Sequence, residues 1–283
     1  MGRWRTGILV ALCMTLTTPL WAQPASAQNQ GQRQAPLPPL PWDADAATLQ
    51  AALPDLKSGG ITGLASHVTA FEAALTNGKQ FFPDGVTIDS RRYIPVDGRR
   101  EGLLVALKAT LTQSGGAVTA VGNPYPSISK LLGTYYDEIG KLEDGIRVLD
   151  EGLALSPDPE ARAGALTVSL IGEKGFALAA LKRYPESLAV YEQGIALNDV
   201  PPLERAILYR GKGLIMTETN RLDEAEAAYQ ESLKLDPGNP RAQNELIYIA
   251  RLRAGRPATP VEMILPPGAQ KPIPQPPQEP SPN

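Results

Sequence analysis

One pattern occurs three times between residues 126 and 239, and it limits what the rest of the chain can be. With Gly133, Gly175 and Gly213 superposed, Leu142, Tyr184 and Leu222 follow nine residues on. Leu149, Tyr191 and Tyr229 follow sixteen on, Gly152, Gly194 and Ser232 nineteen on, and Pro157, Asp199 and Pro237 close the unit. Several slots recurring together at fixed offsets mark a repeat architecture. The small residues Gly133, Gly175 and Gly213, with Gly145, Ser187 and Ala225, predict close crossings of two antiparallel helices in each copy. Leu149, Tyr191 and Tyr229 are then expected to fill the gap to the next copy. One such pair cannot bury its apolar face alone and must stack on neighbours. Ser156-Pro157-Asp158-Pro159 and Asp236-Pro237-Gly238-Asn239 end the second helices, since proline cannot continue a helix.

This spacing resembles the tetratricopeptide repeat family, most closely in the third copy, GLIMTETNRLDEAEAAYQESLKLDPGN. The glycines stand 42 and then 38 residues apart, against a family unit of about 34. The extra residues read as longer turns around 158–166 and 198–205. The resemblance implies an all-α helix-turn-helix solenoid over 124–240, whose first helices line a concave groove for a protein or peptide partner. The groove slots it implies hold Lys130, Thr134, Asp137 and Glu138 in the first copy and Phe176 in the second. In the third they hold Ile207, Arg210, Leu214 and Thr217. Some family members clamp a C-terminal carboxylate with a Lys/Asn/Arg set. Here Thr134 occupies the asparagine slot, and Ile207 and Gly211 occupy the second basic slots, so that clamp is missing. The expected groove is mixed, with Phe176 and Leu214 as apolar anchors and Lys130 and Arg210 orienting an acidic or polar partner.

The N-terminus carries a second strong signal. Arg3 and Arg5 precede the apolar run GILVALCMTLTTPLWA, and Ala25-Ser26-Ala27 offers a small-residue cleavage site, the layout of a secretory signal peptide over 1–27. Cleavage after Ala27 is expected, with Ala22 as the alternative. The run is short of the roughly 20 residues a membrane span needs, so no membrane insertion is expected after cleavage. Cys13 is the only cysteine and falls within this segment, so the mature chain has no thiol chemistry. Export without disulfides points to a bacterial periplasm. Cleavage removes two arginines and no acid, moving net charge from −3 to −5. Nucleic-acid binding relies on a basic footprint that such a chain does not have.

The 28 prolines of the chain are concentrated at its two ends. Residues 28–42 read as a Gln/Pro-rich linker, with Trp42 marking the start of the folded part. Over 43–123 an N-terminal helical region is expected. Helices at 45–57 and 61–77 form either a degenerate repeat or a capping hairpin, and the second is lined by Ile61, Leu64, Val68, Phe71 and Leu75. A non-helical insertion at 79–98 reads as a loop or short hairpin, with Phe81, Phe82 and Tyr93 pinning it to the helices. A helix follows over 99–113, then a Gly115-Gly116 break and a flexible run to Pro124. A cap helix over 241–256 closes the stack, with Leu246, Ile249 and Leu252 inward. Residues 257–283 read as a disordered Pro-rich tail with polyproline bias.

Catalytic chemistry is hard to place on this sequence. His67 is the sole histidine and reads as a packed or surface residue. One histidine and no mature cysteine leave no zinc-type cluster, and no cofactor is implied. Adjacent Ser66 and His67 point to different helix faces and cannot form a triad. Gly211-Lys212-Gly213 continues into a helix rather than a phosphate loop. Asp137 with Glu138, and Glu224 with Glu226, read as solvated helix faces. The sequence therefore points to a non-enzymatic adaptor or scaffold of the cell envelope. The alternative is an enzyme or ligand-binding protein with its site in 43–123, built on the 79–98 insertion and docked through the repeats. A third reading has the tail filling the groove of a structural spacer. The sequence leaves the oligomeric state open.

Overall fold

Antiparallel helix pairs stack side by side and carry most of the buried hydrophobic side chains among the described residues. The structure, a computed structural model, describes residues 37–82, 84–96, 102, 117–155, 165–198 and 200–255. The signal peptide, most of the linker, the helix expected at 99–113 (Gly102 apart), most of the 158–166 turn and the tail lie outside those residues. The three repeats are α3 (Tyr125–Glu138) with α4 (Leu142–Ala154), α5 (Ala165–Ala180) with α6 (Tyr184–Ala196), and α7 (Pro202–Glu218) with α8 (Leu222–Leu235). Successive first helices α3, α5 and α7 pack against one another. Helix α9 (Pro240–Arg253) closes the stack, with Pro240 at its first turn and Asn239 Oδ1 accepting from the backbone N–H groups of Arg241 and Ala242.

The recurring glycines do what their spacing predicts. A Cβ on Gly133 would stand 2.7 Å from Leu149, on Gly175 2.5 Å from the Tyr191 ring, and on Gly213 2.8 Å from the Tyr229 ring. The large residue of each copy therefore sits first on the glycine of its own pair. Tyr191 also reaches the next pair, where a Cβ on Gly211 would fall 2.2 Å from the ring. The turns inside the pairs also recur. Gly140, Lys182 and Asn220, each seven residues past the glycine, take φ of 77°, 61° and 59°. The next N–H then reaches back five residues, Lys141 to Tyr136 O at 2.8 Å, Arg183 to Leu178 O at 2.9 Å and Arg221 to Met216 O at 2.8 Å. This is the Schellman closure, which satisfies carbonyls the helix end leaves open.

Of the two longer turns, the second is shorter than expected. α6 ends at Ala196 and α7 begins at Pro202, so 202–205 already belong to α7. Pro202 fits the first helical turn because its missing N–H would have had no helical partner there. The additional residues lengthen the helix rather than the loop.

At the N-terminal end, α1 (Asp43–Gly59) leads to a 3-10 helix (Ile61–His67) and then α2 (Val68–Gly78). The single helix expected over 61–77 is thus split at His67. A Cβ on Gly63 would stand 2.4 Å from Asp55 O, so the 3-10 segment lies hard against α1. The insertion forms the hairpin β1 (Val86–Ile88) and β2 (Arg91–Val96), turning through Asp89 and Ser90, both at positive φ. The run to Pro124 is not flexible. Residues Ala117–Gly122 form β3, parallel to β2 in the register Arg91↔Ala117 to Val96↔Gly122. As an edge strand, β3 pairs the side of its backbone that faces β2, and Asn123 N–H continues the contact to Val96 O at 3.2 Å.

This end is not a separate unit. Leu40, Trp42, Leu49, Phe71, Leu75, Tyr93 and Val121 form one core with Tyr125, Ile128, Leu132 and Val148 of the first repeat. Burial begins at Leu40, inside the expected linker. Polar side chains join the same halves: Asp45 accepts from Asn77 Nδ2 at 2.7 Å and from the Tyr125 hydroxyl at 3.0 Å. Glu72 accepts from the Tyr136 hydroxyl at 2.7 Å and from Arg147 at 2.7 Å.

Candidate functional site

Side-by-side packing of α3, α5 and α7 brings the expected groove residues onto adjacent helices, at different depths. Lys130, Phe176, Ile207 and Leu214 are half-buried and Glu138 is exposed. Thr134 and Thr217 are buried, and each hydroxyl donates to the carbonyl one turn back, Lys130 O and Gly213 O, both at 2.9 Å. They close their own helices and offer no free donor to a ligand.

The expected cationic flank needs correction. Arg210 is half-buried, and its Nη1 donates to Ser232 Oγ and Asp236 Oδ2, each at 3.1 Å. Asp236 also accepts from Asn239 Nδ2 at 2.7 Å, so the guanidinium belongs to the end of its own repeat. Lys130 lies in the field of the buried Glu173 carboxyl on α5 and favours its ionised form. Arg210 thus answers an acid of its own repeat and is not held out toward an acidic partner.

Asp137 departs furthest from a solvated face. It is 8% exposed, and neither carboxyl oxygen has a hydrogen-bond partner. Oδ1 would stand 2.6 Å from a Cβ on Gly145, so the carboxyl is pressed against α4. Burial, followed by the charge of Glu173, pushes its pKa up to about 8. Glu173 is itself 8% exposed, and burial raises it as well. Sequence reasoning missed Glu173, although a signal was present. Its slot, two before the recurring glycine, holds Leu131 and Gly211 in the other copies, so the acid stands out only when the copies are compared.

Among its described residues, the 79–98 insertion brings no polar constellation together. Tyr93 is buried and Phe81, Phe82, Val86 and Ile88 pack on the first core, while Arg92 is tied to Asp84 at 3.0 Å. His67 Nε2 bonds Asp55 at 2.8 Å and its ring stacks on Phe71. Among the described residues no cluster of three His, Cys, Asp or Glu side chains could hold a metal ion, and no helix is long and apolar enough to cross a membrane.

Residues 173–258 match the family model described as tetratricopeptide repeat. Over that stretch the chain matches tetratricopeptide repeats. That match begins within α5 and runs through the third repeat and α9. No curated protein matches the chain. Among solved structures, it is similar to the first TPR domain of human RPAP3, with 24% identity over 46% of this chain and 94% of that one, at a TM-score of 0.40. It is also similar to the first TPR of Spaghetti (RPAP3) bound to the HSP90 peptide SRMEEVD, with 25% identity over 47% of this chain and 97% of that one, at a TM-score of 0.39. A third similar structure is a MamA RS-1 double mutant, with 18% identity over 75% of this chain and 85% of that one, at a TM-score of 0.42.

Proposed function

We propose that this protein is a non-enzymatic adaptor or scaffold of the bacterial cell envelope that grips a partner peptide or helix in the concave groove of its repeats. The observation that supports this reading is the row of half-buried apolar side chains on adjacent first helices, Phe176 on α5 with Ile207 and Leu214 on α7. Burying one such side chain contributes about 1.5–3 kcal/mol. Two anchors on packed helices give useful affinity without further ordering of the protein. With Arg210 engaged internally, the favoured partner is mainly apolar, with backbone polar groups to satisfy.

The test is crosslinked capture from the native envelope, comparing wild type with a Phe176→Glu/Leu214→Glu double variant of verified helicity. A partner captured by wild type and lost by the variant is expected. The same partners with both would remove the groove from consideration. The envelope assignment rests on the signal-peptide layout of 1–27. N-terminal sequencing of the exported protein should begin at Gln28, and a chain that retains Met1 in the cytoplasm would refute it.

A further inference from the structure

The junction between the first and second repeats contains charge chemistry that the groove reading does not use. Asp137 on α3 is more than nine-tenths buried with both oxygens unpartnered. The helices packed around it present few charged groups. From α4 comes Gly145, closest of all; neighbouring Asp144 is 3.8 Å from Arg147 and belongs to the Glu72 network. From α5 comes Glu173, while adjacent Lys174 points to Asp150 at 2.6 Å. α3 itself supplies Lys130, which faces Glu173, and α6 supplies Tyr191, whose hydroxyl donates to Gly172 O at 3.3 Å and whose ring lies in the field of Glu173. Two carboxyls are thus buried across one helix–helix junction with a single ammonium nearby. A buried carboxylate without a hydrogen-bond donor is costly, and a second negative charge beside it more so.

We propose that this junction is a proton-controlled hinge: α3, α4 and α5 pack closed while Asp137 and Glu173 hold protons, and the first repeat parts from the second when both are ionised. Its consequence, a groove that changes width with pH, rests on the groove reading; the opening itself does not. The sign follows from linkage. Asp137 binds its proton more tightly in the closed state than in an opened or unfolded chain. The stabilisation is therefore complete below the ordinary aspartate range near pH 4, and it is lost progressively as pH rises toward about 8.

The experiment uses the full chain without any partner, so it can succeed where the groove reading fails. Thermal midpoints are measured from pH 5.5 to 8.5 for wild type, Asp137→Asn and Glu173→Gln, with amide hydrogen exchange of α3 and α5 at each pH. The wild-type midpoint should fall across this range by about 5–10 °C, and each variant should flatten the curve. At pH 8.5 the amides of α3 and α5 should exchange about tenfold faster in wild type than in Asp137→Asn, with the two equal at pH 5.5. Asp137→Ala, copying Ala179 in the equivalent slot, serves if the amide variant folds poorly. Parallel curves, with variants offset equally at every pH, would overturn the hinge. So would a wild-type response abolished by a chelator, which would make the carboxyl pair a cation site.

Discussion

The two junctions inside this stack use equivalent helices and opposite chemistry. Between the second and third repeats an aromatic ring does the joining: Tyr191 lies over Gly175 of its own pair and Gly211 of the next. Lys212 closes the edge on Glu192 at 2.8 Å. Between the first and second, Leu149 reaches Gly133 of its own pair, and Lys174 repeats the edge contact on Asp150. The slots that hold Ala179 and Gly211 elsewhere are here filled by Asp137 and Glu173. The edge is conventional in both junctions, and only the interior differs. A repeat stack needs each interface to be good enough on average, which leaves room for one interface to be weaker and condition-dependent.

The largest effect should come from breaking the aromatic junction. Tyr191→Ala removes a buried ring (4% exposed) that two glycines are shaped to receive, and should cost about 3–5 kcal/mol. Leu149→Ala removes a fully buried side chain that meets one glycine, and should cost about 2–4 kcal/mol. Chemical denaturation at pH 6 measures both. If the Leu149 loss equals or exceeds the Tyr191 loss, the ring is not what joins the second pair to the third, and the contrast between the junctions fails.

The regular part of this contrast was legible in the sequence because it is local and recurrent. Gly133, Gly175 and Gly213 with Leu149, Tyr191 and Tyr229 have fixed offsets, and close packing demands small against large at a crossing. What escaped depends on distant partners. β3 pairs with a strand more than twenty residues back, next to a Gly115-Gly116 pair that reads as a break, and a parallel pairing has no turn signal to announce it. Arg210 reads as a groove cation because nothing in its own helix shows that Ser232 and Asp236 will engage it. Asp137 beside Glu138 reads as a solvated face, and only the approach of Gly145 and α5 makes it buried. Of the groove slots, Phe176, Ile207 and Leu214 kept apolar and partly open positions, since side chains with no polar group to satisfy are governed by burial alone.

The smallest effect concerns the turns, where the same comparison runs between copies rather than junctions. Gly140 adopts φ of 77° at no steric cost, whereas Lys182 holds 61° with a Cβ that crowds its own carbonyl. Lys182 N–H still donates to Ala179 O at 2.9 Å, so the closure survives the strain. Lys182→Gly should relieve it while leaving the Arg183 N–H on Leu178 O. Part of the gain is offset by the greater freedom of glycine in the unfolded chain. A net stabilisation of about 0.5–1 kcal/mol is expected, read as a higher denaturation midpoint with an unchanged slope. A loss instead would mean that the Lys182 side chain contributes a contact worth more than the strain. The turn of the second repeat would then be held by its side chain, and that of the first by its backbone.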